Sequence, residues 1–208
     1  MKLKMSYKIS QTNDLMIRTL LRGILEEKHS KDNKVRIIEE LGVHHGNARI
    51  DIAVVNGIMH GYEIKSDLDT LLRLPEQIEV YNSVFDKMTL VVGKSHLYEA
   101  IKIIPDWWGV VVAKADENGV VTFNTIREEE TNEDKNKLSV AKLLWREEAL
   151  GILEEMDEAN GLRSKPRDLI YSKLSTVLDQ ETLGKKVRET IFFRTAWRSE
   201  SPLMSYGG

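Results

Sequence analysis

Asp51, Glu63 and Lys65 are the residues whose types and spacing point most directly to chemistry. Two carboxylates with an amine beside them suit a hard divalent cation held by oxygen, with the lysine as the remaining positive group. Such an ion polarises a phosphate oxygen and acidifies a bound water. The amine can then stabilise developing charge or orient the nucleophile. The competing reading is a structural ion pair of Lys65 with Glu63 or Asp51. The bare Asp…Glu-x-Lys spacing arises readily by chance in a chain with 30% charged residues. Buried without either arrangement, the set would carry a heavy desolvation cost.

The elements around these residues sharpen the reading. Residues 48–55 (ARIDIAVV) and 58–65 read as two strands joined at Asn56-Gly57, a strong hairpin signal. Strand alternation puts Ile50, Ile52 and Val54 on one face and Arg49, Asp51 and Ala53 on the other. On the return strand Glu63 and Lys65 share a face. A turn centred on Asn56-Gly57 pairs 55 with 58 and 51 with 62. Asp51 then lies one residue off Glu63, and a bulge or small shift would bring both to one face. Glu39 and Glu40 end the preceding strand, so three carboxylates and a lysine converge at one end of a small sheet. The following helix carries Gln77 and Tyr81 at i and i+4, with Arg73 nearby. Such side chains either contact a nucleic-acid strand or are ordinary helix polarity with a half-buried tyrosine.

Further along, apolar periodicity predicts a helix over 14–27 opened by an Asp cap and strands over 35–40, 88–92, 109–113 and 120–123. It also predicts helices over 74–85 and 95–103, then three helical segments over 138–157, 166–179 and 181–197. The order α-β-β-β-α-β-α-β, then all α, predicts an α/β core of about 120 residues followed by a helical C-terminal appendage. The chain has 208 residues and a net charge of −3. Residues 114–136 are acidic, net −4, and residues 161–198 are basic, net +5. We therefore divide the chain into a core over 1–126, an acidic exposed linker over 127–137 and a helical region over 138–208. Lys185, Lys186 and Arg188 then read either as phosphate-backbone contacts or as a solvated helix face.

Several function classes are excluded or disfavoured. With no cysteine there is no disulfide, thiolate zinc site, iron–sulfur cluster or cysteine nucleophile. The apolar runs are too short to span a bilayer and the first residues lack a signal-peptide pattern, so no membrane association and a cytoplasmic location are expected. His44-His45, His60 and His96 lack metal-ligand spacing and read as surface or supporting residues, with His44 or His45 the ones able to join a metal rim. GVHHGNAR lacks the Gly-Lys-Ser/Thr ending of a phosphate-binding loop. Trp107, Trp108, Trp145 and Trp197 are expected to pack rather than stack on bases.

Taken together, Asp51, then Glu63-Ile64-Lys65, then Gln77-x-x-x-Tyr81 resemble the PD-(D/E)xK nuclease superfamily, and the Gln/Tyr addition its RecB-type branch. Residues 35–113, which carry the resemblance, are also similar to a bacterial family of small uncharacterised proteins assigned to that fold. The resemblance implies a restriction-endonuclease-like αβββαβ core with a mixed central sheet, Mg²⁺ or Mn²⁺ as cofactor, and hydrolysis of DNA phosphodiester bonds. Asp51, Glu63 and the Ile64 backbone carbonyl would ligate metal, and Glu40 or Glu39 would match the upstream acidic position. Lys65 would orient or activate water, and Gln77 and Tyr81 would lie toward the DNA. Ile50 stands at the nominal proline position of the motif. Two rival expectations are a non-catalytic DNA-binding module of the same fold and an effector that needs a partner protein.

Overall fold

The computed structural model describes residues 11–195. Helix α1 (Asp14–Lys28) is capped by Asn13, whose side chain accepts from the Met16 amide at 2.9 Å; Asp14 is the first helical residue rather than the cap. Its buried stripe of Ile17, Leu21 and Leu25 has the helical period and packs on one face of the sheet with Ile52, Val54, Tyr62 and Ile64.

The sheet has six strands in sequential order: β1 (Arg36–Val43), β2 (Ala48–Val55), β3 (Met59–Lys65), β4 (Lys87–Gly93), β5 (Gly109–Ala115) and β6 (Val121–Arg127). Pairing is antiparallel from β1 to β3, parallel from β3 to β5, and antiparallel again to β6. The two parallel pairs need crossovers, supplied by α2 (Leu74–Asn82) and α3 (Leu97–Ile103). Successive right-handed crossovers that advance the same way along a sheet lie on the same face. Leu74, Ile78, Tyr81 and Ala100 accordingly join one cluster with Met59, Leu90 and Trp108. The protein is thus a mixed α/β fold with a mixed central sheet, followed by C-terminal helices.

Those helices are α4 (Lys137–Ala141), α5 (Arg146–Glu155), α6 (Arg167–Val177) and α7 (Gln180–Phe193). The helix expected over 138–157 is broken in two. Leu143 and Leu144 are buried in the break, and the Glu148 carboxylate caps the restart by accepting from the Trp145 amide at 2.7 Å. No glycine or proline marks the break, so periodicity could not reveal it. Leu144, Leu153, Tyr171, Leu183 and Ile191 continue the same apolar cluster that covers the α2 face of the sheet. Arg36 of β1 donates to the Phe192 carbonyl at the end of α7, tying the sheet edge to the last helix. Trp197 and Arg198 lie outside the described residues.

The acidic stretch differs from the exposed linker that composition suggests. Its backbone is strapped across the ends of other elements. Glu130 N–H donates to Trp107 O at 2.8 Å, Asn132 N–H to Asp86 O at 2.8 Å, and Asn136 N–H to Ser83 O at 2.9 Å. The Asn132 amide, almost fully buried, also donates to Asn82 O and Phe85 O. Carboxylates line the solvent side while the amides secure the strap, a division that composition cannot show. No described helix is long and apolar enough to cross a membrane.

Candidate functional site

The β2–β3 hairpin settles which carboxylates meet. Its register pairs Val55 with Met59 and Ile52 with Tyr62, one residue away from the expected 55-with-58 pairing. The loop is the three residues Asn56, Gly57 and Ile58, with Gly57 in the left-handed region at φ +97° and Asn56 N–H donating to Ile58 O. That one-residue shift sets Asp51 opposite Glu63 when the pairing is continued. Backbone pairing of the two strands stops at Ile52–Tyr62, however, and beyond it they open into a fork. Side chains satisfy the backbone there. The Ile64 amide donates to Asp51 Oδ2 at 2.7 Å, and the Tyr81 hydroxyl donates to the Arg49 carbonyl at 2.6 Å.

The neighbouring strand is distorted at the same level. Glu40 has φ +52°, a left-handed backbone unusual for a residue with a side chain. The flanking pairs Glu39–Ile52 and Leu41–Ile50 place it opposite Asp51. Across this point the alternation slips on both strands: Ile38 and Leu41 share a cluster, as do Ile50 and Ala53. Ile50 therefore faces α2 and not, as simple alternation predicts, the side of Ile52 and Val54.

The charged groups fall into two linked sets. On the α1 side, Arg18 Nη2 reaches Asp51 Oδ1 at 2.7 Å and Asp14 Oδ2 at 3.0 Å, and Nη1 pairs with Glu40. On the α2 side, Glu63 is only 2% exposed and Lys65 Nζ donates to its Oε1 at 2.6 Å. Gln77 Nε2 donates to the same oxygen at 2.7 Å, and the Tyr81 hydroxyl lies 3.0 Å from Oε2. Tyr81 has one proton for two acceptors, and the Arg49 carbonyl is the nearer.

Burial and the facing Glu63 push the Asp51 carboxyl up to about 8, outweighing the Ile64 amide and Arg18, which favour its charged form. Burial likewise raises Glu63, against the opposing pull of Lys65. The two carboxyls sit close enough to disfavour a double negative charge. Among the described residues no three His, Asp or Glu side chains converge as a ready-made metal group. The structure instead assembles two carboxylates, each already paired with a cation of the chain itself.

The remaining expected residues separate. Glu40, through Arg18, is joined to Asp51, whereas Glu39 pairs with Arg22. Tyr81 is fully buried, so it positions Glu63 and the β2 backbone and does not itself lie against a DNA strand as expected. Gln77 is part-buried, and its Oε1 has no hydrogen-bond partner. Arg73, exposed at the start of α2, sits one helical turn before Gln77. Lys185 is exposed on α7, Lys186 pairs with Glu155 at 3.1 Å, and Arg188 reaches Asp86 at 3.9 Å. Asp86 receives the Met59 amide, at the opposite end of β3 from Lys65. At about 3.3 Å per residue, the four steps from Met59 to Glu63 put it about 13 Å from the carboxylates. His44 hydrogen-bonds Ser139 on α4 and His45 lies against Tyr171 on α6, so both serve the packing of the C-terminal helices. Trp108 is fully buried, and Trp145 lies under the Arg194 guanidinium. Sequence reasoning missed Arg18 and the exposed Arg49. The only sequence signal for Arg18 is its i, i+4 spacing from Asp14 on a polar helix face.

A second buried polar group lies on the α1 face, outside this constellation. His60 Nε2 contacts Thr89 Oγ1 at 2.8 Å, and Nδ1 contacts the Tyr62 hydroxyl at 3.2 Å. Burial holds the imidazole down at about 4, against the attraction of Glu129. A depressed histidine means that the unfolded chain takes up a proton before the folded one does. The His60 contribution to stability should therefore fall as pH drops from about 6.5 toward 4, and His60→Asn should remove that component. Urea unfolding at pH 7 and pH 5 checks this. Equal pH dependence in both proteins would refute the buried neutral imidazole.

Comparison with known proteins now adds the family. A profile described as bacteriophage P4 protein cII matches residues 11–202. The chain belongs to the phage P4 cII protein family. Protein cII of Enterobacteria phage P4, a family relative, is 31% identical over 141 residues, which cover 67% of this chain and 53% of the relative. The match thus spans about half the length of that cII protein. Among solved structures, a protein of unknown function from Silicibacter pomeroyi is similar with a TM-score of 0.38 and 18% identity, over 71% of this chain and 94% of that one.

Proposed function

We propose that this member of the cII family is a metal-dependent nuclease that hydrolyses DNA phosphodiester bonds, with Mg²⁺ or Mn²⁺ as cofactor and the cytoplasm as its place of action. One observation carries the reading. Asp51 and Glu63 face each other across the open end of β2 and β3, with Lys65 hydrogen-bonded to Glu63. What supports the reading is that these three residues, which carry the nuclease resemblance, lie near one another at that end of β2 and β3.

The donor set fits a hard divalent ion. Mg²⁺ keeps several waters and takes one or two carboxylates. Two carboxylates that resist being charged together would be relieved by a cation between them. Asp51, Glu63 and the Ile64 carbonyl would hold it, with Glu40 as the upstream acidic group. A bound ion there would supply a polarised scissile phosphate and a water of lowered pKa. Lys65 would then orient that water or stabilise the developing negative charge. Gln77 and Tyr81 fix the Glu63 carboxylate by hydrogen bonds at 2.7 and 3.0 Å. Exposed Arg49 and Arg73 at the rim are suited to phosphate contact, and Lys185, Lys186 and Arg188 would offer a second contact along a duplex.

One observation favours a second reading, a DNA-binding module of the same fold without catalysis. Arg18 and Lys65 already neutralise the two carboxylates. Incubating the pure protein with linear, circular and branched DNA, and with RNA, in Mg²⁺, Mn²⁺ or chelator separates the two. Metal-dependent strand cleavage that chelator stops supports the nuclease. Retained DNA binding with no cleavage under any metal would leave the binding module. Activity only with a second protein present would make the chain an effector with a partner.

A further inference from the structure

We propose that Arg18 is a built-in counter-cation of the Asp51 carboxylate, and that a divalent ion enters the site only by displacing its guanidinium. This inference rests on the metal-site reading above. Asp51 has two carboxylate oxygens. The Ile64 amide holds Oδ2 at 2.7 Å, and Arg18 Nη2 holds Oδ1 at 2.7 Å. Oδ2 is tied to the β3 backbone, so a cation approaching the freer oxygen, Oδ1, meets the guanidinium there. Arg18 also collects Glu40 and, through Asp14 at 3.0 Å, the first turn of its own helix. Three carboxylates thus share one fixed positive charge.

The surrounding structure holds the arginine in this role. Its side chain is 18% exposed, and Nε is buried without a hydrogen-bond partner, so the directed interactions lie at the fork end. Glu40 reaches the fork from a left-handed backbone position opposite Asp51. α1 itself is anchored by Ile17 and Leu21, on either side of Arg18 in sequence. A long side chain on a packed helix can swing away without moving the helix, whereas Lys65 is confined between Glu63 and the interior. Arg18 is thus the group that can yield, leaving the guanidinium beside the cation and the phosphate.

The test is calorimetric titration with Mn²⁺ alone, at one pH and without DNA, on wild type, Arg18→Gln, Arg18→Lys and Asp51→Asn. Arg18→Gln should bind Mn²⁺ about 10- to 100-fold more tightly than wild type, because no charge-assisted hydrogen bonds have to be broken first. Arg18→Lys, which keeps the charge but cannot span Glu40 and Asp51 as a fork, should fall between them. Without metal, Arg18→Gln should melt below wild type, and saturating Mn²⁺ should raise its melting temperature more than it raises that of wild type. Equal or weaker Mn²⁺ binding by folded Arg18→Gln would overturn the displacement and leave the metal site standing. A gain with Gln but none with Lys would mean a charge acting at a distance and would also overturn it. No Mn²⁺ binding in any protein, or wild-type affinity in Asp51→Asn, would overturn the inference together with the metal site.

Discussion

Asp51→Asn should lower metal-dependent DNA cleavage by about 10³-fold or more, because losing one ligand forfeits several kcal/mol of charge stabilisation. The substitution keeps shape, and the new amide oxygen still accepts from Ile64 N–H, so the fork between β2 and β3 should survive. Lys65→Ala should lose about 10²- to 10⁴-fold by a different route, removing the cation that orients water or stabilises charge. Single-turnover cleavage in Mn²⁺ with circular dichroism on the same samples separates chemistry from folding. Folded Asp51→Asn with wild-type cleavage would exclude Asp51 from the reaction. The same substitution has a second signature in chelator. The Asp51 carboxyl is raised from 3.8 to about 8 by burial and by Glu63. A raised carboxyl contributes stability that is complete below its unfolded value and is lost as pH rises through its folded one. In chelator, Asp51→Asn should therefore lose less stability than wild type as pH rises from about 4 to 8, because this contribution is gone while the His60 contribution of opposite sign is the same in both.

Arg194→Ala should cost about 3–5 kcal/mol, a large share of the stability of an ordinary domain. Arg194 is 6% exposed. Its guanidinium holds the Glu148 carboxylate with two bonds of 2.6 and 2.8 Å, takes the Leu143 carbonyl at 3.1 Å, and covers the Trp145 ring at 4.5 Å. Leu143 O lies at the break between α4 and α5, where helix bonding no longer satisfies it. Removing the arginine leaves that carbonyl without this donor and a largely buried carboxylate with only the Trp145 amide and no cation. Arg194→Lys should recover only part of the loss, since an ammonium cannot make the paired bonds. Urea unfolding of both variants measures this, and a loss below about 1 kcal/mol for Ala would show that the site relaxes around the gap. Composition counts Arg194 in the basic end proposed to meet DNA; its contacts assign it to the core.

The nuclease reading and the displacement of Arg18 converge on one property of the site. Its carboxylates are neutralised from both sides, by α1 through Arg18 and by β3 itself through Lys65. The two cations differ in freedom. Lys65 sits two residues from Glu63 on the same strand face, so its pairing follows from local geometry. Arg18 arrives from another layer, and its pairing depends on how α1 packs.

What the sequence determined by itself is what short-range geometry controls. The helical stripe of Ile17, Leu21 and Leu25, the two strands flanking Asn56-Gly57, and the i, i+4 placement of Gln77 and Tyr81 all follow from periods of 3.6 and 2. Glu63 and Lys65 share a face for the same reason. Tertiary structure decided the rest, because each remaining feature depends on residues far apart in the chain. The hairpin register is one residue from the simplest pairing, and that single step sets Asp51 opposite Glu63. The left-handed Glu40 and the slipped alternation at Ile50 arise where β1 and β2 pass the fork, and no residue type announces them. Tyr81 reads as either a DNA contact or a half-buried helix residue until β2 lies over it and the Arg49 carbonyl accepts its hydroxyl hydrogen bond. Arg18 is an ordinary polar-face arginine until α1 packs and brings it to Asp51, 33 residues on. The basic end reads as free charge until Glu148, Glu155 and Asp86 fold back against Arg194, Lys186 and Arg188. Periodicity is a property of neighbours along the chain. Charge pairing and burial are properties of neighbours in space, and only the packed layers bring those neighbours together.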